Sequence, residues 1–253
     1  SADADWQIDR DDDVAQSRDL GRTDQVAAAA ASRRINQAIG FQWRLSSRVN
    51  ARALGITVEA ARALRAEIEA KFRPYAYGVT FSADAERKKT FGQLLRLNGF
   101  HLFFDGETLA LVEYAGGEET RFKTRMRVVD PDRLTNPNGL PDTDYLRGGV
   151  ERNAAFVPVA YHIREGHPND LGSTPHMRGN RWPRFATDHG RPQVLHAFDE
   201  TRAGQARGVT RFASTLKSFR ALAKFTDATL ESAALNALWL GYIKSSAGPD
   251  AIS

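Results

Sequence analysis

Apolar positions along the chain change their period several times, and each change predicts an element. From Asp24, a residue type suited to an N-cap, the Ala-rich run through Ile39 predicts a helix, with Gly40 as its stop. Phe41, Trp43 and Leu45 alternate with Gln42 and Arg44, the period of a half-buried strand. Thr57 then caps a second helix whose stripe of Ala61, Leu64, Ile68 and Phe72 is spaced three to four residues apart, and Pro74 ends it. A third helix runs from about Ser82 to Asn98, stopped by Gly99. Beyond it two apolar runs flank Asp105 and Gly106, a dipeptide suited to a two-residue hairpin turn.

The middle of the chain reads as β-rich. Arg121, Lys123, Arg125 and Arg127 alternate with Phe122, Thr124, Met126 and Val128, which predicts a strand with one basic and one largely apolar face. Such a basic face is either the solvated outside of an antiparallel sheet or a contact for DNA phosphates or an acidic neighbour. Tyr145 to Arg152, with its Gly148-Gly149 pair, and Phe156 to Ile163 predict two more strands. Arg164 to Pro192 is crowded with Gly, Pro, Asn and His and predicts a long irregular stretch that serves as a binding loop, a lid or a mobile excursion. A strand follows at Gln193 to Phe198, and then a helix from near Thr210 to Lys244, far above average length. Phe212, Leu216, Phe219, Ala223, Leu230, Ala234 and Ala237 mark its apolar stripe, while Lys217, Arg220, Lys224, Asp227 and Glu231 follow another face.

Charge refines this picture. The formal net charge is only +4, but residues 1–30 hold eight Asp against three Arg, and residues 31–96 hold thirteen Lys or Arg against five acids. The opening stretch, with Asp9 and Asp11 to Asp13, is polar and poor in apolar anchors, so residues 1–16 read as an acidic arm that orders against a partner. No cysteine is present, which excludes disulfides, thiolate metal sites and cysteine nucleophiles. No apolar run approaches the roughly 20 residues of a membrane span, and Ser1 to Arg10 lacks the pattern of a signal peptide, so neither membrane nor export is expected.

Candidate chemistry is sparse. The chain has no G-x-S-x-G elbow, no Walker A loop and no G-x-G-x-x-G. His101, His162, His167, His176, His189 and His196 form no metal-binding pair at helical spacing. The enzymatic alternative is a metal-dependent nuclease built on Asp132 and Glu151, but such a site needs Lys two residues after the Glu, where Asn153 stands. Asp130-Pro131-Asp132 reads more simply as a turn. The expectation is no catalytic, metal or cofactor-binding residue.

Taken in order, the segments SRDLGRTDQVAAAAASRRINQAIGFQWRL (Ser17 to Leu45), RVVDPDRL (Arg127 to Leu134), RGGVERN (Arg147 to Asn153), PVAYHI (Pro158 to Ile163) and PQVLHAFDETRAGQARGV (Pro192 to Val209) resemble the lambda-type phage portal family. Ala27 to Ala31 stand where family members tend to be bulkier, and NGFHLFFDGETL offers a less clear Gly-Glu strand opening than is usual there. The resemblance implies an α+β fold: a portal-type wing of helices packed on antiparallel strands over residues 17–205, then a long stem helix within 206–253. It implies a structural subunit, not an enzyme, of a homo-oligomeric ring, usually of twelve copies, at one capsid vertex of the virion. Such a ring is assembled in the host bacterial cytoplasm, passes double-stranded DNA in packaging and ejection, and docks terminase, capsid and head-to-tail connector proteins. Lys217, Arg220, Lys224, Arg121, Lys123, Arg125 and Arg127 are the candidates for DNA-channel or intersubunit contacts. A DNA-binding module is the other alternative to the portal reading.

Overall fold

The computed structural model describes residues 3, 9–40, 43–114, 121–167, 179–188 and 190–238. The chain divides into two compact units, residues 1–213 and 214–253. In the first unit, helices α1 (Arg10–Thr23), α2 (Gln25–Ile39), α3 (Ala51–Leu54), α4 (Val58–Tyr77) and α5 (Phe91–Phe104) precede the strands. These are β1 (Glu107–Tyr114), β2 (Thr124–Val129), β3 (Leu146–Arg147), β4 (Val150–Arg152), β5 (Pro158–Arg164), β6 (Gly179–Pro183) and β7 (Val194–Phe198). They form two antiparallel sheets, ordered β2-β1-β7 and β3-β4-β5-β6, so the class is α+β. The second unit carries α6 (Leu216–Leu238).

Side-chain alternation places the core between the sheets. Leu109, Leu111, Val129 and Val194 from the first sheet meet Val150, Tyr161 and Ile163 from the second, with Leu134 and Ala206 closing the cluster. The opposite side of β1, marked by buried Ala110, is left to α5, which packs on β1 and β2. Helix α2 packs on α5 in turn. Phe103 and Phe104, at the end of α5, hold Phe212 at ring distances of 5.2 and 5.5 Å.

Helix α2 starts and stops as its sequence predicts: the Asp24 carboxylate accepts from Ala27 N–H and Gly40 takes a φ of 70°. Thr57 likewise caps α4. Other boundaries moved, each for a visible reason. Residues 43–50 form no strand, because α4 side chains satisfy their backbone: Tyr77 Oη donates to the Trp43 carbonyl at 2.7 Å and Glu69 accepts from Ser47 N–H at 2.8 Å. Phe41 and Gln42 lie outside the described residues. Pro74 does not end α4. It removes one N–H from the last turn, yet Gly78 N–H still closes onto the Pro74 carbonyl at 3.0 Å.

The third predicted helix begins nine residues late. Asp84, 1% exposed, accepts from the N–H groups of Glu86, Lys88 and Lys89, holding this stretch in a turn; Phe81 and Arg87 take positive φ. Helix α5 then starts at a reciprocal Thr90–Gln93 capping box. Gly99 lies inside it, where a Cβ would come within 2.6 Å of Ile39 Cδ1, so it serves close packing on α2 instead of a stop. Asp105-Gly106 joins α5 to β1 and is no hairpin; the partners of β1 are β2 and β7. A real hairpin forms at Gly148-Gly149, both with positive φ, splitting the single strand predicted over Tyr145 to Arg152. The long loop contains β6 paired with β5, and its residues 168–178 and 189 lie outside the described set. Helix α6 begins at Leu216, six residues after the predicted start, and the predicted extension through residues 239–244 is also outside that set.

Candidate functional site

Helix α1 begins within the stretch read as an acidic arm and turns Arg10, Val14, Ser17 and Leu20 inward. Arg10 reaches Glu107 at the first position of β1, Nη2 to Oε1 2.6 Å, and Glu107 is wholly buried. From the other side Arg207 Nε donates to both Glu107 oxygens at 2.8 and 3.0 Å, the Gly208 N–H donates at 2.8 Å, and His196 Nε2 lies 3.1 Å from Oε2. Arg207 also donates to the carbonyls of Pro131 and Leu134, the two ends of one 3-10 turn, and of Gly148, so one guanidinium ties two loops to the carboxylate. Burial opposes charge on Glu107, but Arg207, Arg10 and His196 outweigh it and hold the carboxyl well below the usual carboxylate range. Burial and the repulsion of Arg10 lower the Arg207 pKa, against the pull of Glu107.

A second ionic cluster lies about two turns farther along α1, at Arg18. Arg18 Nε donates to Asp105 at 2.7 Å, Nη2 to Asp130 at 3.0 Å and Nη1 to Asp132 at 2.5 Å. His101 Nδ1 lies 2.6 Å from Asp105, and His167 Nε2 lies 3.4 Å from Asp132. Burial works against the Arg18 charge, and the three carboxylates override it and raise its pKa. Two trios here, His101-Asp105-Asp130 and Asp130-Asp132-His167, have ligand-type atoms close together. The Arg18 guanidinium bonds all three of their carboxylates, which is the task a bound cation would perform. The chemistry of both clusters is therefore to pin α1 to the sheet and its loops.

Glu107, Arg207, Arg10 and Arg18 escaped the sequence reading. The signals were present: Gly106-Glu107 does open β1, and Arg207 directly precedes a glycine. That Gly pair matters, since Gly106 has φ +82° and a Cβ there would lie 2.1 Å from the Val209 carbonyl carbon. A Cβ on Gly208 would lie 2.2 Å from the Gly106 oxygen. Two backbones cross in contact beside Glu107.

The basic residues predicted on one strand separate into two groups. Arg125 and Arg127 belong to β2, are half-buried and share a face with Val129, whose partner is core Leu109. Arg127 Nε pairs with Glu113 Oε1 at 2.8 Å, and Glu113 stands opposite Arg125. Arg121 and Lys123 precede the strand and are exposed, lying over the rings of Phe122 and Tyr114 at 5.4 and 5.8 Å. A uniform basic face is therefore not formed. On α6, Lys217, Arg220 and Lys224 are exposed, as are Asp227 and Glu231. Asp132 and Glu151 fall in different clusters: Asp132 with Arg18 and His167, Glu151 with Arg181 at 2.7 Å and His162 at 3.2 Å. Among the described residues no helix is long and apolar enough to cross a membrane.

The portal protein of Escherichia phage N15 is 30% identical over 234 residues, 91% of this chain and 43% of that protein. Portal protein B of Escherichia phage lambda is 31% identical over 232 residues, again 91% of this chain and 43% of the relative. The chain thus spans less than half the length of these relatives. The phage portal protein, lambda family, matches residues 1–253, and the chain belongs to that structural family.

Proposed function

We propose that the chain is the wing and first stem helix of a subunit that assembles, in twelve copies, into the portal ring at one capsid vertex. On this reading residues 1–16 lead into a wing over 17–205, and the stem lies within 206–253. The ring is built in the host bacterial cytoplasm, passes double-stranded DNA during packaging and ejection, and docks terminase, capsid and head-to-tail connector proteins. Family membership supports the reading, and helix α6 is the observation that carries it. Leu222, Phe225, Leu230, Leu235 and Leu238 are 47–79% exposed along its 23 residues. An apolar surface of that extent on a helix calls for neighbouring copies.

Lys217, Arg220 and Lys224 share a face at helical spacing, with Asp227 and Glu231 among their exposed neighbours. In the proposed ring these cations bridge to acids of the adjacent copy. A channel wall of mixed charge also lets DNA slide, because each unpaired cation on the wall adds salt-sensitive phosphate affinity. The test is the oligomeric mass of the full-length gene product by light scattering, with negative-stain imaging of the same peak. Rings with a central hole are expected. A compact monomer that binds duplex, or cleaves it with dependence on Asp132 or Glu151, overturns the proposal.

A further inference from the structure

Two surfaces of the first unit carry charges that, among the described residues, are mostly without partners of opposite sign. One is the first turn of α1, where Asp11 is 93% exposed, Asp9 and Asp12 are exposed and Asp13 is half-buried. Asp11 contacts Arg10, but among the described residues Asp9, Asp12 and Asp13 have no cation in ion-pair range. Burial, followed by the charges of Asp9 and Asp12, raises the pKa of Asp13, so the carboxylates crowd one another.

The other surface is an open groove of about 390 Å³ between the end of α4 and the approach to β2, lined by Pro74, Val79, Ser82, Arg87, Arg121 and Phe122. Arg87 is held at the rim by a 3.0 Å bond to the Thr80 carbonyl, and Arg121 lies over Phe122. Lys123, next in sequence to the groove's Phe122, lies over the ring of Tyr114. Among the described residues none of the three has a carboxylate in ion-pair range. Val79, at 89% exposed, is a bare apolar contact in the middle of this basic rim.

The two surfaces cannot meet within one copy. Arg10 is bound to Glu107, the first residue of β1, and Lys123 lies over Tyr114, the last. At roughly 3.4 Å per residue the ends of β1 are about 24 Å apart. We infer that the groove at Val79, Arg87 and Arg121 receives the acidic first turn of α1 from a second copy of this chain. Different patches on the two partners make the contact head-to-tail, the kind that closes into a ring. The inference rests on the ring reading above and supplies it with a named wing-to-wing contact.

The absence of cysteine in the chain gives a direct test. Ala15→Cys adds a thiol one turn beyond the acidic residues and Val79→Cys adds one in the groove, neither removing a charge. The two singly substituted proteins, mixed and oxidised, are expected to form a mixed disulfide dimer well above the yield of Val79→Cys with Ala38→Cys, an exposed site on α2. Adding Arg87→Glu and Arg121→Glu to the groove partner should lower the yield at least about tenfold. Adding Asp12→Lys and Asp13→Lys to the other partner should then restore it. A yield equal to the control, or one indifferent to charge reversal, overturns the contact. Imaging the full-length gene product separates the two readings: rings without the cross-link sink this contact alone, and the absence of rings sinks the ring.

Discussion

Glu107 keeps its charge in a site closed to water because two guanidiniums and a backbone N–H surround it. Removing the carboxylate would leave Arg10 and Arg207 buried and facing each other, so Glu107→Ala should cost about 3–5 kcal/mol, read from urea unfolding. The pH dependence follows from the depressed pKa. The stabilisation is complete above the ordinary value of 4.5 and fades as pH falls below it towards the folded-state value. Urea midpoints measured from pH 7 down to 3 should fall on the acid side, and Glu107→Gln should flatten that fall. The residues of this cluster were hard to read from sequence because a buried charge has no periodic signature. Arg10 and Arg207 each look like surface cations until partners 97 and 100 positions away are in place. Asp24 and Thr57, by contrast, act on N–H groups three residues ahead, and their roles were legible.

Elements whose signals are local came through well: α2, most of α4, β7 and the turn at Pro131. Those that depend on a distant partner did not. The alternation at Phe41 to Leu45 promised a strand, but the N–H and carbonyl groups described there found side chains of α4 instead of another strand. Glycine was the most misleading residue, because a stop and a close approach look alike in sequence. The crossing of Gly106 and Gly208 makes the distinction measurable. Gly204 also has positive φ, +86°, but nothing lies within 4 Å of its missing Cβ. Gly204→Ala should therefore cost about 1–3 kcal/mol in backbone strain alone. Gly106→Ala should cost clearly more, since it adds a backbone collision that no rotamer change relieves; thermal unfolding of the two variants decides this.

On the scale of the whole molecule, the charge polarity visible in the sequence becomes a question of which surfaces meet. If the α6 cations bridge to a neighbour, Lys217→Glu, Arg220→Glu and Lys224→Glu together should lower the assembled mass of the full-length product in light scattering while circular dichroism stays unchanged. Assembly should also weaken as salt rises, in proportion to the number of exposed pairs involved. The clamp at Arg207 has a consequence for synthesis. Strand β1 leaves the ribosome with Glu107 at its head, but the arginine that neutralises it follows 100 residues later, and β7 only slightly earlier. At about 5–20 residues per second, the nascent chain carries an open sheet edge and an incompletely paired carboxylate for about 5–20 s. Translation products that stop short of Arg207 should therefore stay aggregation-prone or bound to chaperones, and a stalled ribosome would release such a species in place of a partly finished subunit.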